Sequence, residues 1–264
     1  MDKFDAIIIG TGQSGPALAR RLAGAGRKVA VIERKFFGGT CVNTGCTPTK
    51  TLVASAYAAH LARRAGDYGV TIAGPVSVDM KAVKARKDAV AGVSRQAVER
   101  SLKRLEGCTV YEGHARFISG KKVAVGDAVL TAEHIFINVG ARALIPPIPG
   151  LNDVTYLTNS SMMDVDFLPP HLIVLGGSYV GLEFAQVYRR FGSEVTVIEL
   201  APRLIAREDE DVSRTVADFL GDHRLRALHG SPARSRRHDG SGGPQERKAR
   251  ADRDNGHGRR EPRV

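Results

Sequence analysis

The sequence predicts an α/β fold with two mostly parallel lobes, the second of them incomplete. Three observations predict it. The segment Ile7–Glu33, IIIGTGQSGPALARRLAGAGRKVAVIE, recurs without a gap at Ile173–Glu199, IVLGGSYVGLEFAQVYRRFGSEVTVIE. Each copy reads as an apolar strand, a glycine turn, a helix and a second apolar strand, the pattern of a βαβ unit in a parallel sheet. The composition is globular, 42% hydrophobic and 25% charged over 264 residues, which is enough chain for one large or two ordinary domains with a sizeable core.

The first copy sets Gly10, Gly12 and Gly15 at the G-x-G-x-x-G spacing, then a helix carrying Ala17, Leu18 and Leu22, then a strand from Val29 to Ile32 that ends in Glu33. Gly10 permits the tight turn, Gly12 lets backbone approach a pyrophosphate, Gly15 lets helix and strand pack closely, and the helix N-terminus favours phosphate charge. Glu33 is placed to accept hydrogen bonds from a ribose. The unit is therefore Rossmann-like, and its strand and helix context is what such a glycine pattern requires.

Next comes FGGTCVNTGCTPTK, Phe37 to Lys50, with Cys41 and Cys46 at the start of a helix that runs to about Arg64. A helix N-terminus lowers a thiol pKa, which suits a redox pair. A metal site is the competing reading, but zinc wants four ligands; only Cys108 remains, with no paired histidines nearby, so no metal is expected. A long amphipathic helix follows near Met80 to Leu105, with Val83, Val90, Val93, Ala97 and Leu102 as its core-facing stripe. Short strands from Thr109 to Val139 read as inserted accessory structure, and Cys108 as a buried structural cysteine. The first lobe spans residues 1–150.

The second lobe, residues 151–220, carries Gly176, Ser178, Gly181 and Glu199, with serine in place of the middle glycine. An acid at that strand end selects an unphosphorylated ribose, whereas Arg203 and Arg207 just beyond it are placed to meet a 2′-phosphate, so NADH and NADPH both stay open. From Gly221 to Val264 the chain holds twelve basic and six acidic residues, over half of the net charge of +11, with no aromatic side chain. Such a segment reads as a disordered basic tail. The body implies no particular partner. No apolar run approaches the roughly 18 residues of a membrane span, and MDKFDAIIIG is not a signal peptide, so a cytoplasmic location and no membrane partner are expected.

GGTCVNTGCTPTK closely resembles the active-site signature of the class I pyridine nucleotide-disulfide oxidoreductases, which include dihydrolipoamide dehydrogenase, glutathione reductase and mercuric reductase. The resemblance covers about residues 3–220 and takes in both glycine motifs, HIFINVGARALIPPIPG and GGSYVGLEF. It implies that Gly10, Gly12, Gly15, Glu33, Gly39, Thr40 and Lys50 hold FAD, with Gly140 and Ala141 adding a later contact, and that Gly176, Ser178, Gly181 and Glu199 hold NADH or NADPH. It implies that Cys41 and Cys46 form a redox disulfide, Cys46 next to the flavin and Cys41 facing the substrate. Lys50 would pair with Glu183 near the flavin, and Tyr179 would gate the nicotinamide pocket. The activity so implied passes a hydride from NAD(P)H to FAD, and electrons onward to the disulfide and then to an acceptor: a small disulfide, a metal ion or a quinone.

The family continues past the second motif with the rest of the NAD(P) domain, a second flavin segment and a dimerisation domain that donates a His-Glu pair across a homodimer. Those segments are not recognisable here, and His223, His229, His238 and His257 match nothing around that pair. The Arg, Gly, Pro, Ala and His bias beyond Leu220 is what a GC-rich gene yields when read out of frame. The expectation is thus a C-terminally truncated or frameshifted member, with an inactive remnant as the alternative. Nucleic-acid binding through the tail is the remote alternative, disfavoured by the absence of aromatic residues and of a recognised fold.

Overall fold

The computed structural model describes residues 1–222 and 226–229. The first sheet is centred on β1 (Asp2–Ile9) and β2 (Val29–Glu33), joined through helix α1 (Ser14–Gly24). Then come the short helix α2 (Gly39–Asn43), α3 (Cys46–Arg63), α4 (Met80–Lys103), and strands β3 (Cys108–Glu112), β4 (Arg116–Ser119), β5 (Lys122–Val125) and β6 (Ala128–Ile137). The strand order is β3-β2-β1-β6-β5-β4. The first four strands in that order are parallel, and β5 and β4 continue the sheet antiparallel. Strands β3 and β6 are therefore not accessory: they flank β2 and β1, and β6 runs in register with β1 from Asp2↔Leu130 to Ile9↔Ile137. Only β4 and β5 form an added hairpin.

A parallel sheet is covered on both faces, so its strands read as continuous apolar runs. Val29, Ala30, Val31 and Ile32 are all buried. Alternate residues enter opposite cores. Ile7, Ala30 and Ile32 pack with Val123 and Leu130 on one face. Ile8, Val29 and Val31 pack with Ala19, Phe37 and Leu102 on the other, beneath α1 and α4.

The stripe expected on α4 is only partly the buried one. Leu102 is fully buried, but Val93 is 66% exposed, Val90 is exposed too, and the inward positions are Met80, Lys87, Ala91 and Leu102. Met80, Ala91 and Leu102 follow one another at about three full turns, whereas Val83, Val90 and Ala97 are spaced by heptads, which drift by ~20° per repeat on a straight helix. Lys87 lies inward because its ammonium donates to the Met163 carbonyl, 2.7 Å away, while its methylenes fill the core.

The second sheet, β7-β8-β9, is wholly parallel: β7 (His171–Leu175), β8 (Glu194–Glu199) and β9 (Arg226–His229), with α5 (Tyr179–Phe191) and α6 (Glu210–Asp222) between them. Its core draws Leu182, Ala185, Tyr188 and Phe191 from α5, and Leu52 and Ala56 from α3. Arg63, at the end of α3, donates to the carbonyls of Arg190 and of Phe191, the latter at 3.0 Å, and so closes the carbonyl end of α5. Helix α6 and strand β9 run past Leu220, where composition alone places the start of the tail, and β9 takes in His229; residues 223–225 and 230–264, which hold the rest of the expected tail with His223, His238 and His257, lie outside the described residues. No helix among the described residues is long and apolar enough to cross a membrane.

Removing the Leu102 side chain should leave a cavity at a fully buried position, so Leu102→Ala is expected to lower unfolding free energy by about 2 to 5 kcal/mol. Val93→Ala should change it by less than about 0.5 kcal/mol, because that side chain is already in water. Urea unfolding of the two variants checks both, and equal losses would show that α4 is rotated from the orientation described.

Candidate functional site

The two glycine turns repeat each other in three dimensions. Gly10 and Gly176 have φ of 100° and 106°, in the left-handed region that glycine alone enters freely. Each donates its N–H to the end of the neighbouring strand, Gly10 to Ile32 O and Gly176 to Ile198 O, both at 2.8 Å. A Cβ on Gly15 would lie 2.4 Å from Gly10 O, and one on Gly181 2.2 Å from Gly176 O, so both helices begin too close to their strands for any side chain.

The strand-end acids brace these turns. Glu33 Oε2 accepts the Thr11 N–H at 3.1 Å and the Thr11 hydroxyl at 2.6 Å, while Oε1 accepts the Lys35 N–H at 3.0 Å. In the second copy Glu199 Oε2 accepts the Gly177 N–H at 2.6 Å and Oε1 the Ala201 N–H at 2.8 Å. Thr11 also accepts the Gly38 N–H at 3.1 Å. The hydroxyl thus ties the first turn to the cysteine loop.

That loop is seated on the turn. Gly39 has φ of 62°, and a Cβ there would lie 2.7 Å from Gly12 Cα. Gly140 approaches from β6, where a Cβ would lie 3.8 Å from Thr40 Oγ1. Gly12, Gly39, Thr40 and Gly140 therefore converge, with exposed Ala141 following. Helices α1, α3 and α5 begin without a side-chain cap, including at Ser178, whose hydroxyl does not close its own helix. Helix α4, remote from the turns in sequence, is capped by Asp79, which accepts from Lys81 and Ala82. Asn138 Nδ2 is a buried donor without a partner, 3.1 Å from where a Gly15 Cβ would sit. Open helix N-termini, glycine walls and an orphaned donor fit a phosphate-bearing dinucleotide.

The cysteines stand where α2 hands over to α3. Cys41 is half-buried, Cys46 is exposed, and both are thiols. The Cys46 thiol, hydrogen-bonded to Cys41, pushes the Cys41 pKa up, aided by burial; the N–H groups of Cys46 and Thr47 at the start of α3 pull it down without prevailing. The expected depression of thiol pKa by the helix is thus present at Cys41 as an opposing influence and is outweighed by the neighbouring thiol. Asn43 fixes the loop between the cysteines, donating to Phe37 O at 2.9 Å and Gly39 O at 2.8 Å and accepting from Arg95 Nε at 2.9 Å. Arg95 lies over the Phe36 ring at 4.3 Å.

Of the remaining expected residues, Lys50 is exposed on α3 and Glu183 half-buried on α5; the two helices pack together, but no ion pair joins those side chains among the described residues. Tyr179, the first residue of α5, is 72% exposed. Cys108 opens β3 half-buried, its thiol pushed up by burial. Thr11, Asn43 and Asn138 were not legible as site residues. The available signals were a hydroxyl inside the glycine pattern, an amide between two cysteines and an amide ahead of Val139-Gly140, none of them distinctive alone.

A family model described as pyridine nucleotide-disulphide oxidoreductase matches residues 4–253, past Leu220 where the motifs end the resemblance. The chain is 38% identical over 229 residues to the probable pyridine nucleotide-disulfide oxidoreductase RclA of Escherichia coli, covering 84% of this chain and 48% of that protein. To a mercuric reductase of Streptomyces lividans it is 36% identical, covering 90% and 51%. A solved structure, the Cu(II) complex of the HOCl-induced flavoprotein disulfide reductase RclA from Escherichia coli, superposes with a TM-score of 0.76 at 35% identity over 88% of this chain and 50% of that one. The chain thus spans about half the length of these relatives.

Removing the Cys46 side chain should lower the Cys41 pKa, since the thiol that raises it is lost while both backbone N–H groups stay. In Cys46→Ala, the pH profile of iodoacetamide alkylation at Cys41 should move to lower pH. A profile that stays or moves upward would show that the neighbouring thiol is not what holds Cys41 protonated.

Proposed function

Because this chain belongs to the pyridine nucleotide-disulphide oxidoreductase family, we propose that it is an FAD-dependent NAD(P)H oxidoreductase that works through a Cys41–Cys46 dithiol. The observation that carries the reading is the convergence of Gly12, Gly39, Thr40 and Gly140 beside the cysteine loop, which puts a dinucleotide cradle and a thiol pair in one structural unit. Gly10, Gly12, Gly15, Glu33, Gly39, Thr40, Gly140 and Ala141 would hold FAD, with Lys50 beside it. Gly176, Ser178, Gly181 and Glu199 would hold NADH or NADPH, with Tyr179 over its nicotinamide end. When bound, FAD supplies the two-electron relay between nicotinamide and the sulfurs.

The protein's own residues do the rest. Cys41 and Cys46 give up two electrons and two protons as an S–S bond closes, and a small disulfide, a metal ion or a quinone accepts the electrons. Cys46, exposed, is the sulfur assigned to the flavin side, and Cys41 the one assigned to the acceptor. The N–H groups of Cys46 and Thr47 favour the Cys41 thiolate, the form that attacks an acceptor, against the opposing influence of the Cys46 thiol. Asn43 and Arg95 hold the loop so that the sulfurs stay paired through the cycle. Glu183 would pair with Lys50 near the flavin. The cytoplasm is the location that goes with this reading, and the homodimer is the state of the intact family, whose dimerisation domain is not recognisable here.

A second reading, a chain that keeps the fold without turnover, is favoured by one observation: its match covers only about half of each of the relatives named above. The visible spectrum of the purified chain separates the two. One FAD per chain and a long-wavelength band after anaerobic NADH, lost in Cys46→Ser, are expected for the working dithiol enzyme. A colourless protein, or a flavin that NADH leaves oxidised, would remove that reading in favour of the second.

A further inference from the structure

The two glycine turns share a backbone plan, but the first is backed by a side chain that lies outside both motifs. We infer that this side chain, Asn138, is a further binding residue for FAD, donating from Nδ2 to an oxygen of the pyrophosphate. The inference rests on reading the first turn as the flavin site.

Asn138 follows directly on β6, and its backbone is held on both sides. Its N–H donates to Ile9 O at 2.8 Å, and its carbonyl oxygen lies 2.1 Å from where a Cβ on Gly10 would stand, so only a glycine at residue 10 lets the strand end and the turn meet. That seat puts the side-chain amide against the turn. Nδ2 is 3.1 Å from the position of a Gly15 Cβ and 3.3 Å from that of a Gly12 Cβ, with Oδ1 3.6 Å from the latter. The space at Gly12 is what the second glycine of such a motif leaves clear so that a pyrophosphate can reach the backbone.

The protein makes no other use of this donor. Nδ2 is shut off from water and has no hydrogen-bond partner. An amide N–H left in that state is costly, and an acceptor brought by a ligand removes the cost. The last torsion of an asparagine is a broad rotor, so an N–H can turn to meet an oxygen at Gly12 while the backbone stays seated. Helix α1 starts beside it without a side-chain cap, which leaves its first N–H groups open to the same anion. A neutral amide donating to a phosphate oxygen makes one of the stronger hydrogen bonds, because the acceptor is ionised.

The second turn shows what the amide adds. A Cβ on Gly181 would stand as close to the leading glycine's carbonyl oxygen as one on Gly15 does, 2.2 Å against 2.4 Å, yet the side-chain atom nearest to it is Val174 Cγ1 at 3.2 Å. A methyl group can keep water from a phosphate but has no proton to donate. At the leading position a Cβ on Gly10 runs into Asn138, whereas one on Gly176 meets nothing within 4 Å among the described residues. The turn geometry is thus common to both copies, and the amide donor belongs to the first.

The test is titration of FAD into the flavin-free full chain, followed by flavin fluorescence, together with urea unfolding of the same flavin-free proteins. Asn138→Ala should raise the FAD Kd about 10-fold, in the range of a hydrogen bond to a charged group. It should leave the urea midpoint in place or raise it, because no bond within the protein is lost. Asn138→Asp, which sets a carboxylate of nearly the same shape against the phosphate, should raise the Kd about 100-fold. An unchanged Kd in Asn138→Ala, a Kd in Asn138→Asp no higher than in Asn138→Ala, or a weaker Kd in Asn138→Ala accompanied by a lower urea midpoint would overturn the proposal while the flavin site stands. No FAD binding by the unmodified chain would overturn it together with the reading of the first turn on which it rests.

Discussion

The contact between Gly39 and Gly12 is the constraint on which the site depends. Two segments separated by a helix and a strand meet backbone to backbone, closer than any side chain allows. That approach fixes where α2 begins, and so where Cys41 stands and where α3 starts with Cys46. Thr11 secures it from below, its hydroxyl donating to Glu33 and accepting from Gly38. A bulkier residue at Gly39 would have to lift the cysteine loop off the turn, and a positive φ at that position makes the substitution unfavourable even before the clash.

From that seat α3 carries the site's geometry across the molecule. Its first turn belongs to the first lobe, while Leu52 and Ala56 lie in the core of the second among Leu182, Ala185 and Tyr188. Arg63 closes the carbonyl end of α5 at the far end of the same helix. One rigid element thus connects the cysteines to the helix that starts at the second glycine turn. The anchoring is apolar and continuous, with polar closure only at the periphery, so a shift of α5 has to be shared by α3 or accommodated in a close-packed core.

The repeat, the glycine turns, the cysteine loop and the extent of α3 and α4 were legible because each rests on local chemistry: backbone conformations that need glycine, apolar runs that need burial on both faces, a period of helical length. What was not legible depends on rotation or on distant register. The inward face of α4 could not be read from its valines, because the buried positions between Met80 and Leu102 are Ala91, no more apolar than the Ala97 of the expected stripe, and Lys87, whose ammonium reaches Met163. Strands β3 and β6 read as accessory because their place beside β2 and β1 is set by long-range parallel pairing that no short window contains. At the site, the glycines announced themselves. Asn43 and Asn138 did not, since an amide matters there only through carbonyls and turns brought near by the fold.

The two copies of the repeat have diverged where their attachments differ. In the first, the residue after the leading glycine is Thr11, whose hydroxyl gives Glu33 a third donor and links the turn to the cysteine loop. In the second it is Gly177, with no hydroxyl, and among the described residues Glu199 holds only backbone N–H groups of its own lobe while Leu204 and Ile205 close over the turn. The first turn is therefore bonded directly to the loop that carries the dithiol, whereas the second is braced by β8, by Glu199 and by the loop that follows its own strand. Closely similar backbone geometry, taken from one βαβ plan, thus serves a turn hydrogen-bonded to the cysteine loop and a turn that meets the cysteines through α5 and α3. The difference lies in a single side chain at the second position of the glycine motif, and it follows from whether that side chain has a neighbouring loop to hold.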